Sequence, residues 1–343
     1  MNIYTVIKWY RRIDNPRIKL MGILGLHVLR RRYLCVAIDP SQLCNLRCRM
    51  CYFSNEETAR NMRGVFTDDD IEHIAKAVFH RALKLQIGCG SEPTTFKNLP
   101  QLVKTAHQHA IPHISLTTNG QLLTTEKLRQ LAENGLNELI LSAHGMSKAV
   151  YEQMMRGARF ERFTALIDAI STLKTDFPQL QVRLNYTICN DNIDDLKQLP
   201  RLFSQMHPDS IQLRPVQDTG STDYDNYSMI ALHEKYDECI MPVVEFCHSN
   251  NIVCIYPERE NLETINQENE HKQHLNSAID MLPFFYLAPY TGWKEAFNPY
   301  TDTFESYSKR QGTTWKMLKM LFGINAGHEQ HDDVTKALNY KVN

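Results

Sequence analysis

Three cysteines, Cys44, Cys48 and Cys51, fall within eight residues, separated by three and then two residues. Thiolates are the usual ligands of iron–sulfur clusters and of structural zinc. Both of those sites ordinarily take four protein ligands, so the count of three leaves two choices. Either a distant residue completes the set, with Cys89 as the candidate fourth thiolate, or one metal position stays open for a small molecule. An open position is what a catalytic site keeps.

The elements around the triplet must curl it about one object. A strand-like run, Tyr33–Asp39, and a Pro-Ser turn lead into it. A helix is expected from Thr67, a plausible N-cap, with Asp68, Asp69 and Asp70 where the helix dipole favours negative charge. Its apolar stripe is Ile71, Ile74, Ala75, Val78 and Phe79. Strands are then expected at Lys84–Ile87, His113–Thr117, Glu138–Leu141, Gln181–Ile188 and Ser210–Leu213. Helices are expected at about Leu99–Ala110, Thr125–Glu133, two stretches flanking Gly157, and Ile193–Met206. This alternation argues for parallel βαβ units. Six strands, not eight, suggest an α/β fold built as a partial, open (β/α)6 barrel. Sites in such folds lie at the C-terminal ends of the strands.

The sequences at those ends are Gly90-Ser91-Glu92-Pro93, Thr117-Thr118-Asn119-Gly120, Ser142 and Asn185. Together with the cysteine triplet and in this order, they resemble the radical S-adenosylmethionine (radical SAM) superfamily. The likeness covers about residues 33–215. It is closest to the branch of molybdenum-cofactor and peptide-modifying maturases. The resemblance implies that Cys44, Cys48 and Cys51 hold a [4Fe-4S] cluster and that SAM chelates the fourth iron. It implies SAM contacts at Gly90, Ser91, Glu92, Pro93, Thr118, Asn119, Ser142 and Asn185. Ser91 stands where the family has a second glycine, and Met50 where many members have an aromatic residue. The implied chemistry is reductive cleavage of SAM and removal of a hydrogen atom from an unidentified substrate. An electron donor such as a flavodoxin or ferredoxin is implied as a partner. Cys239, Cys247 and Cys254 lack paired spacing and are expected to pack as small hydrophobes, so no auxiliary cluster is expected. Arg214 and Gln217, at the end of the sixth strand, are expected to face the substrate space.

Composition sets the frame. The 343 residues are 43% hydrophobic and 22% charged, as in soluble globular proteins. Nine cysteines without paired spacing argue against a secreted disulfide scaffold and for a reducing cytoplasm. No cleavable signal peptide is recognised, and the apolar run Leu20–Leu29 is too short to span a bilayer. The formal net charge is −1, yet residues 1–34 carry eight basic side chains against Asp14. This basic segment is expected to form a solvated face while Ile3, Val6, Ile7 and Tyr10 dock on the barrel. Weak contact with an anionic membrane surface through residues 1–32 is the alternative. The chain is thus read as a basic helical segment, 1–32, a core, 33–230, and a C-terminal extension, 231–343. Within the extension, a helix is expected at Leu232–Asn250, a strand at Ile252–Tyr256 and a helix at Thr314–Phe322. Two other readings stay open: a non-catalytic iron–sulfur or zinc protein, and a barrel scaffold recruited to an anionic surface.

Overall fold

The computed structural model describes residues 10, 12–204, 206–218, 220, 222–263, 279–323 and 340–342. In chain order its strands are β1 (Leu34–Ile38), β2 (Arg47–Cys48), β3 (Ala82–Ile87), β4 (His113–Thr118), β5 (Glu138–Ser142), β6 (Met155–Arg156), β7 (Gln181–Ile188), β8 (Ser210–Pro215), β9 (Val253–Pro257), β10 (Phe284–Leu287) and β11 (Tyr340–Val342). Nine of them form one sheet in the order β10-β1-β3-β4-β5-β7-β8-β9-β11. Its pairings are parallel except the last, β9 with β11. Among the described residues the sheet does not close on itself, and β10 and β11 lie at its two edges.

The expected six strands are all present and adjacent. The sheet then continues past them at both edges with strands from the C-terminal part. β9 was expected as a strand; β10 was not. Phe284–Leu287 is a short aromatic run without alternation, and its partner β1 lies some 250 residues earlier in the chain. Only the tertiary pairing makes it a strand.

Local signals explain most elements. The helix Asp68–Val78 starts at Thr67 with a capping box: Thr67 Oγ1 accepts from the Asp70 N–H, and the Asp70 carboxylate accepts from the Thr67 N–H. Such a cap stabilises a helix by about 1 kcal/mol. The helix Thr125–Glu133 and strand β7 have the expected bounds. Two expected helices are instead interrupted, each beside a proline. Residues Ile193–Gln198 form a 3₁₀ turn, and an α-helical turn restarts at Leu199 with Pro200 in its first turn. Within 230–249, a π-helical turn, Tyr236–Ile240, separates Ile230–Glu234 from Met241–Ser249, where Pro242 again occupies the first turn. Proline lacks the N–H that a continuous helix would need there.

Side-chain alternation divides the sheet into two faces. On β7, Val182, Leu184, Tyr186 and Ile188 are buried in the apolar core, while Gln181, Arg183, Asn185 and Thr187 face the other side. Strand register carries this second face across the sheet as Gln86, Ser115 and Glu138, and as Ser142, Asn185 and Gln212. A closed eight-stranded barrel fills its interior with branched apolar side chains. Here that face is polar, as a ligand-holding wall needs to be.

Candidate active site

Asp39 directly follows β1 and is buried. Its carboxylate accepts from the backbone N–H groups of Cys89, at 2.8 Å, and Gly90, at 2.9 Å. The hydroxyl of Tyr286, on β10, donates to the same carboxylate at 2.7 Å. One side chain therefore clamps the end of β1 to the turn after β3 and to the C-terminal edge strand. Neither Asp39 nor Tyr286 was singled out from the sequence. A Pro-Ser turn after an aspartate gave no sign of the first, and β10 was not foreseen.

The cysteine loop is fastened at several points. β2 pairs with β6 in a two-stranded antiparallel ribbon, Arg47 opposite Arg156 and Cys48 opposite Met155. The Arg49 guanidinium meets the Asp191 carboxylate at 2.7 Å. Ser54 Oγ donates to the Cys51 carbonyl at 2.7 Å. Tyr52 donates from its hydroxyl to the Gly90 carbonyl. Asn119 Nδ2 donates to Asn45 Oδ1 at 2.9 Å. The loop is thus bonded to the ends of both β3 and β4.

All three cysteines are half-buried, and burial pushes each thiol upward from its ordinary value, Cys44 to about 12. For Cys48 the neighbouring Cys44 and Cys51 add to that effect. Such thiols ionise only where a metal centre takes the charge. Among the described residues, no three His, Cys, Asp or Glu side chains converge as ligands of one ion would. In a four-iron cluster each thiolate can take its own iron.

The residues at the strand ends fall into two groups. The first is already committed within the protein. Glu92 is buried, and its carboxylate accepts from Thr118 Oγ1 at 2.7 Å, the Asn119 N–H at 2.8 Å and the Thr94 N–H at 3.1 Å. Burial raises its pKa, opposed by these bonds. Asn119 Oδ1 accepts from the Gln121 N–H at 3.0 Å. Ser91 Oγ donates to the Ser41 carbonyl, and Pro93 is buried. Gly88 requires glycine: its φ is +85°, and a Cβ there would lie 2.5 Å from the Thr117 carbonyl oxygen. At Gly90 a Cβ would lie 2.5 Å from the Tyr52 hydroxyl. The second group is open. Ser142 and Asn185 are register partners on the polar face. Asn185 Oδ1 and Thr117 Oγ1 are buried without a hydrogen-bond partner.

Further along the polar face, His144 Nδ1 accepts from the Thr187 N–H at 3.2 Å. Burial, reinforced by Arg214, lowers its pKa to about 4, so it is neutral near pH 7. Arg214 pairs with Thr187 in register and is exposed; Gln217 follows the strand, half-buried. Deeper, Glu138 is held by Arg183 at 2.7 Å and His113 at 3.0 Å. Met50 packs with Met154, Cys189, Val216 and Tyr224 in a small second apolar cluster beside the cysteine loop. Cys239, Cys247 and Cys254 are buried in the main core, and Cys89 lies exposed at the rim.

The donor set suits the two groups named above. Three half-buried thiols and a polar wall with unpartnered oxygens match an iron–sulfur cluster and a ligand carrying ammonium, carboxylate and hydroxyl groups. Comparison with known proteins points the same way. The model of the radical SAM superfamily matches residues 38–202. A probable GTP 3',8-cyclase of Sulfurisphaera tokodaii is 25% identical over 183 residues, 52% of this chain and 56% of that protein. One from Thermoplasma volcanium is 24% identical over 178 residues, 52% of each chain. This chain therefore spans little more than half the length of these relatives. Among solved structures, Streptococcus suis SuiB bound to S-adenosylmethionine superposes with a TM-score of 0.58 at 16% identity, covering 77% of this chain and 61% of that one. SuiB bound to its precursor peptide SuiA gives 0.57, covering 77% and 60%.

Proposed function

Residues 38–202 belong to the radical SAM superfamily, and on that premise we propose that the chain is a radical SAM enzyme acting on an unidentified substrate. The observation that carries this reading is the fastening of the three-cysteine loop to the ends of β3 and β4, through Tyr52 to Gly90 and through Asn45 to Asn119. Cluster ligands and SAM-binding strand ends are thereby parts of one rigid rim.

The cluster and SAM together supply one-electron cleavage of the SAM C5′–S bond and hydrogen-atom abstraction from an unreactive carbon. Cys44, Cys48 and Cys51 would hold three irons and leave the fourth to SAM. Ser142 and Asn185 would orient SAM from the polar wall, with the buried Oδ1 of Asn185 accepting a donor from it. Glu92, Thr118, Asn119 and Asp39 would fix the backbone of the turn at Gly90 and Ser91. The shared work of these residues is to align SAM with the substrate and keep water out. Arg214 stands where an acidic substrate group could be met. In this reading residues 33–230 are the core, 1–32 a basic flanking segment, and 231–343 an extension that borders the substrate entrance. A flavodoxin or ferredoxin would supply the electron, in a reducing cytoplasm consistent with the unpaired cysteines.

The test is anaerobic cluster reconstitution, dithionite reduction with SAM, and assay for 5′-deoxyadenosine, with Cys48→Ala as control. The expected result is a [4Fe-4S] signal by electron paramagnetic resonance and SAM cleavage, both lost in the variant. Stable zinc or cluster binding with no change of the signal on adding SAM would overturn the reading.

A further inference from the structure

The N-terminal helix, Pro16–Val28, is apolar on two faces. Leu20 and Ile23 are buried, with Leu24 and His27 on the same side. The opposite stripe, at helical spacing, is Ile18, Met21, Gly22, Gly25 and Val28, continued by Leu29. Ile18 and Met21 are 50% exposed, Val28 60% and Leu29 70%. A Cβ added at Gly22 or Gly25 would meet nothing within 4 Å, so the described structure leaves this face open. A helix with a single apolar face would be satisfied by its core contact alone; this one has a second apolar stripe turned to solvent.

A second helix, Thr313–Leu321, packs against it, and Thr314 Oγ1 meets His27 Nε2 at 3.0 Å. Trp315, 62% exposed, faces outward there. A groove of about 760 Å³ runs between them, with Val28, Arg30, Lys309 and Trp315 in its walls. The charges bordering the stripe are mostly of one sign. Arg12, Arg17, Arg30 and Arg31 are exposed and have no carboxylate partner among the described residues. The nearby acids are mostly engaged: Asp280 accepts from Tyr10, and Glu305 holds His80 and Arg81, leaving Asp14 exposed. No helix among the described residues is long and apolar enough to cross a membrane.

We infer that this face docks on an anionic phospholipid surface. The helix would lie in the plane of the headgroups with Met21, Val28 and Leu29 inserted shallowly. Trp315 would sit at the boundary, where an indole has one apolar and one wet side, and Arg30 and Lys309 would meet lipid phosphate in the groove. Charge complementarity selects the lipid over a second copy of the chain, since a self-complementary contact would set arginines against arginines. The inference is independent of the chemistry proposed for the rim.

Vesicle flotation of the full chain tests it, with phosphatidylcholine alone and with phosphatidylcholine mixed with phosphatidylglycerol. Binding is expected only to the anionic vesicles and should fall about tenfold from low to high salt. A Met21→Glu/Val28→Glu variant and an Arg30→Glu/Arg31→Glu variant should each bind about tenfold more weakly, with unchanged circular dichroism and melting temperature. Since every substituted side chain is exposed, folding should survive. Absence of binding to both vesicle types would overturn the inference, as would binding by both variants as tight as that of the parent. A concentration-dependent dimer that Met21→Glu/Val28→Glu dissolves, without vesicle binding, would assign the face to a second copy instead.

Discussion

The ends of β3 and β4 and the ends of β5 and β7 lie on the same rim, yet they are built in opposite ways. At β3 and β4 most polar groups are already bonded within the protein, Thr117 Oγ1 excepted: Glu92 to Thr118 and Asn119, Asn119 to Asn45, Ser91 to Ser41. At β5 and β7, Ser142 and Asn185 face the polar side, and Asn185 Oδ1 is buried with nothing to bond. Leaving a buried acceptor unmade costs about 1–3 kcal/mol, so a fold tolerates it where a ligand completes the bond. The comparison teaches that the signature residues of such a rim have two jobs. Those of the first half hold the backbone of the turns, and those of the second half are left available, as the role proposed for Ser142 and Asn185 requires.

The largest expected effect breaks the committed half. Replacing Glu92 by alanine removes the acceptor of four buried donors, the N–H and hydroxyl of Thr94, the hydroxyl of Thr118 and the N–H of Asn119. At about 1 kcal/mol or more for each stranded donor, stability should drop by about 3–5 kcal/mol. Urea unfolding of the metal-free chain measures this without any cofactor. A loss below about 1 kcal/mol would show that Glu92 is not a structural clamp. On the open half, Asn185→Ala should leave the unfolding midpoint within about 0.5 kcal/mol of the parent while weakening SAM binding about tenfold. Equilibrium dialysis with labelled SAM on the reconstituted protein separates the two. Equal losses in stability and in binding for both variants would erase the distinction between the halves.

A pH experiment sharpens the same contrast at His144, which follows β5 and is half-buried. Between its ordinary value near 6.5 and about 4, the unfolded chain binds a proton that the folded chain refuses. The contribution is therefore fully present above pH 6.5 and is lost as pH falls through that window, up to about 3 kcal/mol. The difference between parent and His144→Gln in unfolding free energy, followed from pH 7 to pH 4.5, isolates it. The parent should lose more stability on acidification than the variant. Parallel curves would show that His144 titrates as it does in water.

Much of this was legible in the chain itself. The cysteine triplet stands out because only thiolates do its chemistry, and β7 and the helix Thr125–Glu133 carry periodicities strong enough to fix their bounds. The broken helices had their signal in Pro200 and Pro242, outweighed in the sequence reading by the apolar pattern around them. Other features had no local signal. Whether Glu92 points into the protein or toward a ligand depends on Thr118 and Asn119, which chain spacing does not orient. The second apolar stripe of Pro16–Val28 is visible as residues, but which stripe meets the core is settled only by packing.

The smallest predicted effect concerns a connection between distant parts of the chain. Tyr286 reaches Asp39 across 247 residues and, with the Leu287 carbonyl that accepts from the Asp39 N–H at 2.9 Å, ties the C-terminal strand to the rim. Tyr286→Phe keeps the ring and the β1–β10 pairing while removing one bond to a buried carboxylate that retains two backbone donors. A hydrogen bond to a charged group contributes about 1.5–3 kcal/mol in full burial. Tyr286 is 45% exposed, so water replaces part of the loss and about 1 kcal/mol is expected. The sharper readout is positional. Asp39 holds the N–H groups of Cys89 and Gly90, so loosening it should raise hydrogen exchange at those two amides and leave the Asn185 side of the rim unchanged. Faster exchange on both sides would mean that the two halves move as one body, and that their division of labour is chemical without being mechanical.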